Sequence, residues 1–198
     1  MAGRLYPVLL AVPEAARRLP PRERATYLSS RARKAVHRSA ERAGVLLGEL
    51  VKDPRGVPRP ANGLHWSLAH KTDWVAGVVA PHPVGIDLEG VAEHPAALFA
   101  KIARPEEWRL AVDEPRVAFA RFWTAKEAVL KASGRGIAGL ADCRVVGVEG
   151  PRRIAIEHAG RRWKVEQILF GRTVAAVTVE DASPDWRVEE ENEAPPAP

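Results

Sequence analysis

Apolar positions along the chain change period several times, and the changes mark out its elements. Between Ser30 and Val51 the residues Ala32, Ala35, Val36, Ala43, Leu46, Leu47 and Leu50 recur at helical intervals, while Arg31, Arg33, Lys34, Arg38 and Arg42 fall largely on other faces. This predicts a long amphipathic helix. Pro20-Pro21 can open a helix before it, over the basic stretch that begins at Arg22 to Leu28. Asp53-Pro54-Arg55-Gly56 and the run Pro58 to Gly63 punctuate a loop. Three strand-like segments follow, Leu64 to His70, Trp74 to Ala80 and Val84 to Glu89, joined by Lys71-Thr72-Asp73 and Pro81-His82-Pro83. Connections this short predict an antiparallel meander. Met1 to Val12 reads as an edge strand rather than a signal peptide, since Pro7 interrupts its short apolar run and no small-x-small cleavage site follows cleanly.

The same plan recurs downstream. A helix is predicted around Pro115 to Ser133, then strands around Cys143 to Glu149, Arg152 to His158, Arg161 to Leu169 and Thr173 to Glu180. Val75-Ala76-Gly77-Val78-Val79-Ala80 echoes Val174-Ala175-Ala176-Val177-Thr178-Val179. The expected fold is α+β, with two similar halves forming a pseudo-dimer. Each half is a helix packed on an antiparallel sheet, with a cofactor cleft between them. The expected divisions are 1–95, 96–185, and an acidic, proline-rich flexible tail over 186–198.

A chain of 198 residues that is 46% hydrophobic can bury a substantial core. Its single cysteine, Cys143, excludes an intrachain disulfide and points to a reducing cytoplasm. No apolar run approaches the ~20 residues of a membrane helix, so a soluble protein with no membrane partner is expected. Charge is uneven. Residues 1–60 hold 13 Lys and Arg against 5 Asp and Glu. Over 182–198, Asp185, Glu189, Glu190, Glu191 and Glu193 oppose only Arg187, so the rest of the chain is four charges more positive than the whole-chain +5. Such a basic face attracts polyanions in general.

Two segments carry candidate chemistry. In Gly85-Ile86-Asp87-Leu88-Glu89, strand alternation sends Asp87 and Glu89 to one face and Ile86 and Leu88 to the core. Hard divalent cations bind such oxygen clusters. In the run from Phe119 to Lys131, Glu127 lies one helical turn from both Trp123 and Lys131, which adds a third carboxylate with a cation beside it. Three acids and a lysine fit a metal-bound diphosphate.

Both motifs resemble those of the 4′-phosphopantetheinyl transferases, whose hallmark is a G-x-D-x-E strand followed by a W-x-x-K-E-A-x-x-K helix, here Trp123 to Lys131. Trp66-Ser67-Leu68-Ala69-His70 stands where that family has a strand ending in histidine, and the resemblance covers roughly residues 20 to 180. Length agrees with the larger, surfactin-synthetase-activating branch, a monomer of two similar halves.

The resemblance implies transfer of 4′-phosphopantetheine from coenzyme A to a serine of an apo acyl or peptidyl carrier protein, with release of adenosine 3′,5′-bisphosphate. It implies Mg²⁺, or Mn²⁺, held by Asp87, Glu89 and Glu127. Glu127 is the candidate base, directly or through a bound water, with Lys131 and Asp87 as its catalytic companions. His70, Lys71, Lys126, Lys131, Arg22, Arg24 and Arg31 are the candidate cofactor-binding residues, and the basic N-terminal half suits the acidic helix of a carrier protein.

The chain departs from the family at Ala69, where serine is common. It departs again at Gly56-Val57-Pro58, where G-K-P is frequent and Arg59 is a candidate substitute. These departures motivate an alternative, a non-catalytic relative that binds coenzyme A or carrier protein, against which the intact Asp87, Glu89, Glu127 and Lys131 stand. A nucleic-acid-binding module explains the charge but not three carboxylates, which repel phosphates. Nucleic acid is therefore not an expected partner.

Overall fold

The computed structural model describes residues 3–190. The chain runs β1 (Arg4–Leu5), β2 (Val8–Ala11), α1 (Glu14–Arg17), α2 (Pro21–Ala43), β3 (His65–His70), β4 (Trp74–Ala80) and β5 (Ile86–Gly90). It continues through α3 (Ala96–Ile102), α4 (Pro105–Trp108) and α5 (Pro115–Ser133), then a 3₁₀ segment (Ile137–Asp142). The last strands are β6 (Arg144–Glu149), β7 (Arg153–His158), β8 (Arg161–Phe170), β9 (Thr173–Val179), β10 (Ser183–Pro184) and β11 (Arg187–Glu189). A first sheet has the order β11-β2-β4-β3 and a second the order β5-β9-β8-β7-β6, while β1 and β10 form a short parallel ribbon. The fold is α+β.

Packing stacks these elements in four layers. Leu28, Ala32 and Ala35 of α2 bury against Val8, Leu10 and Val75 of the first sheet. Between the sheets lie Leu9, Ala76 and Val78 on one side and Ile86, Leu88, Ala175 and Val177 on the other. Phe119, Phe122, Ala125 and Val129 of α5 cover the outer face of the second sheet through Val145, Ile154, Ile156 and Val165. Each fully buried aliphatic or phenyl side chain contributes on the order of 1.5–3 kcal/mol.

Two glycines set how closely helix and sheet approach. A Cβ at Gly77 would stand 2.3 Å from the backbone nitrogen of Val36, and one at Gly85 would stand 1.8 Å from the carbonyl oxygen of Ala128. Only a residue without a side chain fits at either point.

Several expectations are corrected. α2 is one continuous helix from Pro21, with proline at its first turn, and it ends at Gly44 in the left-handed conformation. Leu46, Leu47 and Leu50 therefore lie beyond the helix, and Leu46 is largely exposed. The edge strand expected within Met1 to Val12 is, over Val8–Ala11, an interior one, because β2 lies between β4 and β11, and Met1 and Ala2 lie outside the described residues.

The three-stranded meander is broken after its first hairpin. β3 and β4 pair as expected, but β5 joins the second sheet beside β9. Pro81 and Pro83 remove backbone donors from the connection. Gly85 N then donates to Thr178 Oγ1 at 2.9 Å and Ile86 N to Ser67 Oγ at 3.1 Å, steering β5 across the interface. In return the chain end crosses back. Within the expected tail, Arg187–Glu189 pairs in parallel with β2, and Glu189 is ion-paired to Arg38 of α2. Residues 191–198 of that tail lie outside the described residues. Each sheet thus takes a strand from beyond the division drawn at residue 95.

Candidate active site

α5 and β5 cross at Gly85, and the close approach brings one turn of helix over one strand. Lys131 Nζ donates to Asp87 Oδ1 at 2.7 Å, to the Ile86 carbonyl at 3.0 Å and to the Leu68 carbonyl of β3 at 3.3 Å. One ammonium group thereby ties α5 to an edge of each sheet. Asp87 Oδ2 is buried with no hydrogen-bond partner among the described residues.

Burial raises the Asp87 carboxyl above its ordinary range, against the opposing pull of Lys131 and Lys71. Glu127, one turn before Lys131, is raised too, first by burial and then by the negative charge of Asp87. Glu127 therefore senses the charge on Asp87. Glu89, two residues on along β5, is drawn aside, since its Oε2 accepts from Lys71 Nζ at 2.6 Å. Among the described residues, no three acidic, histidine or cysteine side chains stand together closely enough to hold a metal ion.

His70 ends β3 beside Lys71. Partial burial, then the positive charges of Lys131 and Lys52, hold its imidazole below the usual value. A cavity of about 190 Å³, which His70 does not line, is walled by Lys52, Arg55 and Val57 together with Leu68, Lys131 and Gly134.

Of the residues read as cofactor-binding, Lys71 and Lys131 are brought to the carboxylates, His70 feels the charges of those two lysines, and the others are not brought there. Lys126 is a correction. It is 1% exposed, and its Nζ donates to the Ile102 carbonyl at 2.8 Å and pairs with Glu107 at 2.6 Å. It clamps α4 to α5 inside the second half of the chain and is not available to a ligand. Arg31 is a second correction, being 4% exposed with its Nε donating to the Ala11 carbonyl at 2.6 Å. It pins α2 to the end of β2. Arg24 donates to the Arg17 carbonyl at 3.2 Å, and Arg22 is exposed on the first turn of α2.

Ala69 is buried between the sheets at 5% exposed, whereas Ser67 two residues earlier uses its hydroxyl on Ile86 N. Arg59 does not line the cavity beside Val57, but Lys52 and Arg55 do. Neither was singled out from sequence. The available signal was Asp53 at the head of a Pro-Arg-Gly turn, which folds residue 52 back opposite residue 58.

The site sets a buried aspartate, and a glutamate that feels its charge, beside Lys131 and Lys71. Residues 83–179 match the family model described as the 4′-phosphopantetheinyl transferase superfamily. The chain is 33% identical over 96 residues to the 4′-phosphopantetheinyl transferase psf-1 of Bacillus pumilus, covering 46% of this chain and 41% of the relative. It is 29% identical over 90 residues to the 4′-phosphopantetheinyl transferase gsp of Aneurinibacillus migulanus, covering 43% and 38% respectively. A third similar protein is the 4′-phosphopantetheinyl transferase ffp of Bacillus subtilis, 27% identical over 100 residues, covering 47% and 43%. The matches thus span about two fifths of the relatives' own length.

Proposed function

We propose that this protein transfers the 4′-phosphopantetheine group of coenzyme A to a serine of an apo acyl or peptidyl carrier protein, releasing adenosine 3′,5′-bisphosphate. The observation that carries the reading is the Lys131–Asp87 pair, with Asp87 Oδ2 unpartnered beside Glu127, inside the segment that matches the superfamily. A buried carboxylate oxygen left unpaired is costly unless a ligand satisfies it.

The donor set suits a hard divalent ion. Asp87 and Glu127 would hold Mg²⁺ or Mn²⁺, joined by Glu89 when Lys71 releases it. Bound there, the ion would offset the charge that accumulates on the departing phosphate.

The chain's own residues do the rest. Lys131 is fixed by three acceptors and places a permanent positive charge at the strand edge. Its pairing also orients Asp87. Glu127, whose raised pKa brings it nearer to useful basicity, takes the proton of the acceptor serine as its oxygen attacks the β-phosphorus. His70 and Lys71 face the donor's diphosphate from the end of β3.

The reading extends to the architecture. α2 on the first sheet and α5 on the second form two similar halves of a pseudo-dimer, working as a monomer, with the donor between them. The matching close approaches at Gly77 and Gly85 support this. The basic residues of α2 suit an acidic carrier helix in a reducing cytoplasm, and no helix is long and apolar enough to cross a membrane among the described residues. Intact-mass spectrometry of an apo carrier protein with coenzyme A and Mg²⁺ tests the reading. A gain of one phosphopantetheine, absent with Glu127→Gln and with EDTA, is expected; no gain across fatty-acid, polyketide and peptide carriers overturns it.

A further inference from the structure

Residues 51–59 fold into a small hairpin that stands across the cavity from the end of α5. Lys52 pairs with Pro58 in an antiparallel bridge, Asp53 N donates to the Val57 carbonyl at 2.8 Å, and Arg59 N donates to the Val51 carbonyl at 2.9 Å. The Asp53 carboxylate closes the turn by accepting from Arg55 N and Val57 N, both at 2.9 Å. Those backbone bonds, that to Val57 first, hold its carboxyl below the usual range. The hairpin is therefore organised by its own hydrogen bonds, and Lys52 is presented to the cavity opposite Lys131.

The cations around this cavity differ in their commitments. Lys131 is paired with Asp87 and Lys71 with Glu89. Arg33 donates to the Leu50 carbonyl at 2.7 Å and lies over the Trp66 ring, and Arg55 is paired with Asp53. Lys52 has no carboxylate partner among the described residues, and its charged neighbours are Arg33 and Lys131, both positive. Val57, Leu68 and Leu130 supply an apolar lining. Like charges gathered without an anion repel one another. An anionic oxygen between Lys52 and Lys131 removes the repulsion, accepting a charge-assisted hydrogen bond from Lys52 while Lys131, whose three donors are held by Asp87, Ile86 and Leu68, attracts it through its charge.

We propose that Lys52 is a binding residue for the donor's diphosphate, gripping it from the hairpin while Lys131 holds it from α5. This rests on the transferase reading above. It assigns to Lys52 a positive charge that Val57 cannot provide and that Arg59, outside the cavity, does not.

The test is calorimetric titration of the wild type, Lys52→Met and Lys52→Arg with coenzyme A and with coenzyme A lacking its 3′-phosphate, alongside melting curves of the ligand-free proteins. Lys52→Met should weaken both donors by the same factor, about tenfold, the size of one hydrogen bond to a charged group. Lys52→Arg should restore most of the affinity. Ligand-free Lys52→Met should melt no lower than wild type, because a like-charge repulsion has been removed. Unchanged affinity in Lys52→Met overturns the assignment, as does a loss confined to the donor bearing the 3′-phosphate, or a ligand-free protein that melts markedly lower. A folded wild type that binds neither donor overturns the transferase reading and this assignment together, an outcome distinct from the other three.

Discussion

Gly85 and the Ala128 carbonyl meet so closely that a methyl group on Gly85 would lie 1.8 Å from the oxygen. That contact sets the distance at which α5 crosses β5, and with it the reach of Lys131 to Asp87. Because the opposing atom is helical backbone, it cannot swing aside as a flexible side chain would. Gly85→Ala should therefore destabilise by about 1–3 kcal/mol or more through overpacking, a fall in melting temperature of roughly 2–4 °C per kcal/mol, and should abolish transfer. Gly77→Ala, which strikes the Val36 backbone at 2.3 Å, should destabilise comparably while sparing kcat. Thermal melts paired with carrier-loading rates check both.

Removing the ammonium group from the Lys131–Asp87 pair leaves a buried carboxylate with neither oxygen satisfied. Lys131→Met is expected to cost about 3 kcal/mol, the low end for a broken buried pair, because the lysine side chain is partly exposed. Adding Asp87→Asn should recover most of the stability and none of the activity. Denaturant unfolding of the two single variants and the double variant, with loading assays, tests that split.

Lys126→Met serves as a contrast on the same helix. Its partner Glu107 also accepts from Val145 N at 2.7 Å and from Arg104 N at 2.9 Å, so losing the lysine strands a charge in the core. Destabilisation of about 3–5 kcal/mol is expected, with coenzyme A affinity unchanged in the protein that remains folded. Urea titration and calorimetry measure the two quantities separately.

Raised carboxyl pKa values at Asp87 and Glu127 fix a sign for pH dependence. The folded protein holds these protons to higher pH than the unfolded chain does. The stabilisation is fully present below the ordinary carboxylate range and is lost as pH rises through the raised values. His70 acts oppositely, since its depressed pKa gives stability present above its ordinary value and lost as pH falls through the folded one. In EDTA, Glu127→Gln should flatten the decline seen on raising pH, and His70→Gln should remove the loss seen on acidification. Transfer by the wild type should rise with pH as Glu127 ionises. Unfolding curves and kcat/KM collected across about pH 4–8 check each limb.

Which candidate side chains share a face was legible from local periodicity. Alternation along Ile86–Glu89 and the four-residue spacing of Glu127 and Lys131 both hold, because strand and helix geometry alone decide which side chains share a face. Lys126 shows where this stops. It adjoins Glu127 in sequence, yet helical rotation turns it inward to Glu107, an acid on a four-residue helix that no periodic pattern announced.

By itself the sequence determined most of the α+β elements, the two motifs that resemble those of the transferase superfamily, and which carboxylates and lysines share a strand or helix face within them, since these follow from residue type and short-range spacing. Tertiary structure alone decided that β5 leaves its hairpin neighbours for β9, that Arg187–Glu189 returns to β2, and that Lys52 faces Lys131. Such pairings depend on which buried faces fit each other over long separations, and at Gly77 and Gly85 the fit depends on a missing side chain. Local pattern carries no record of the surface that will fill that space.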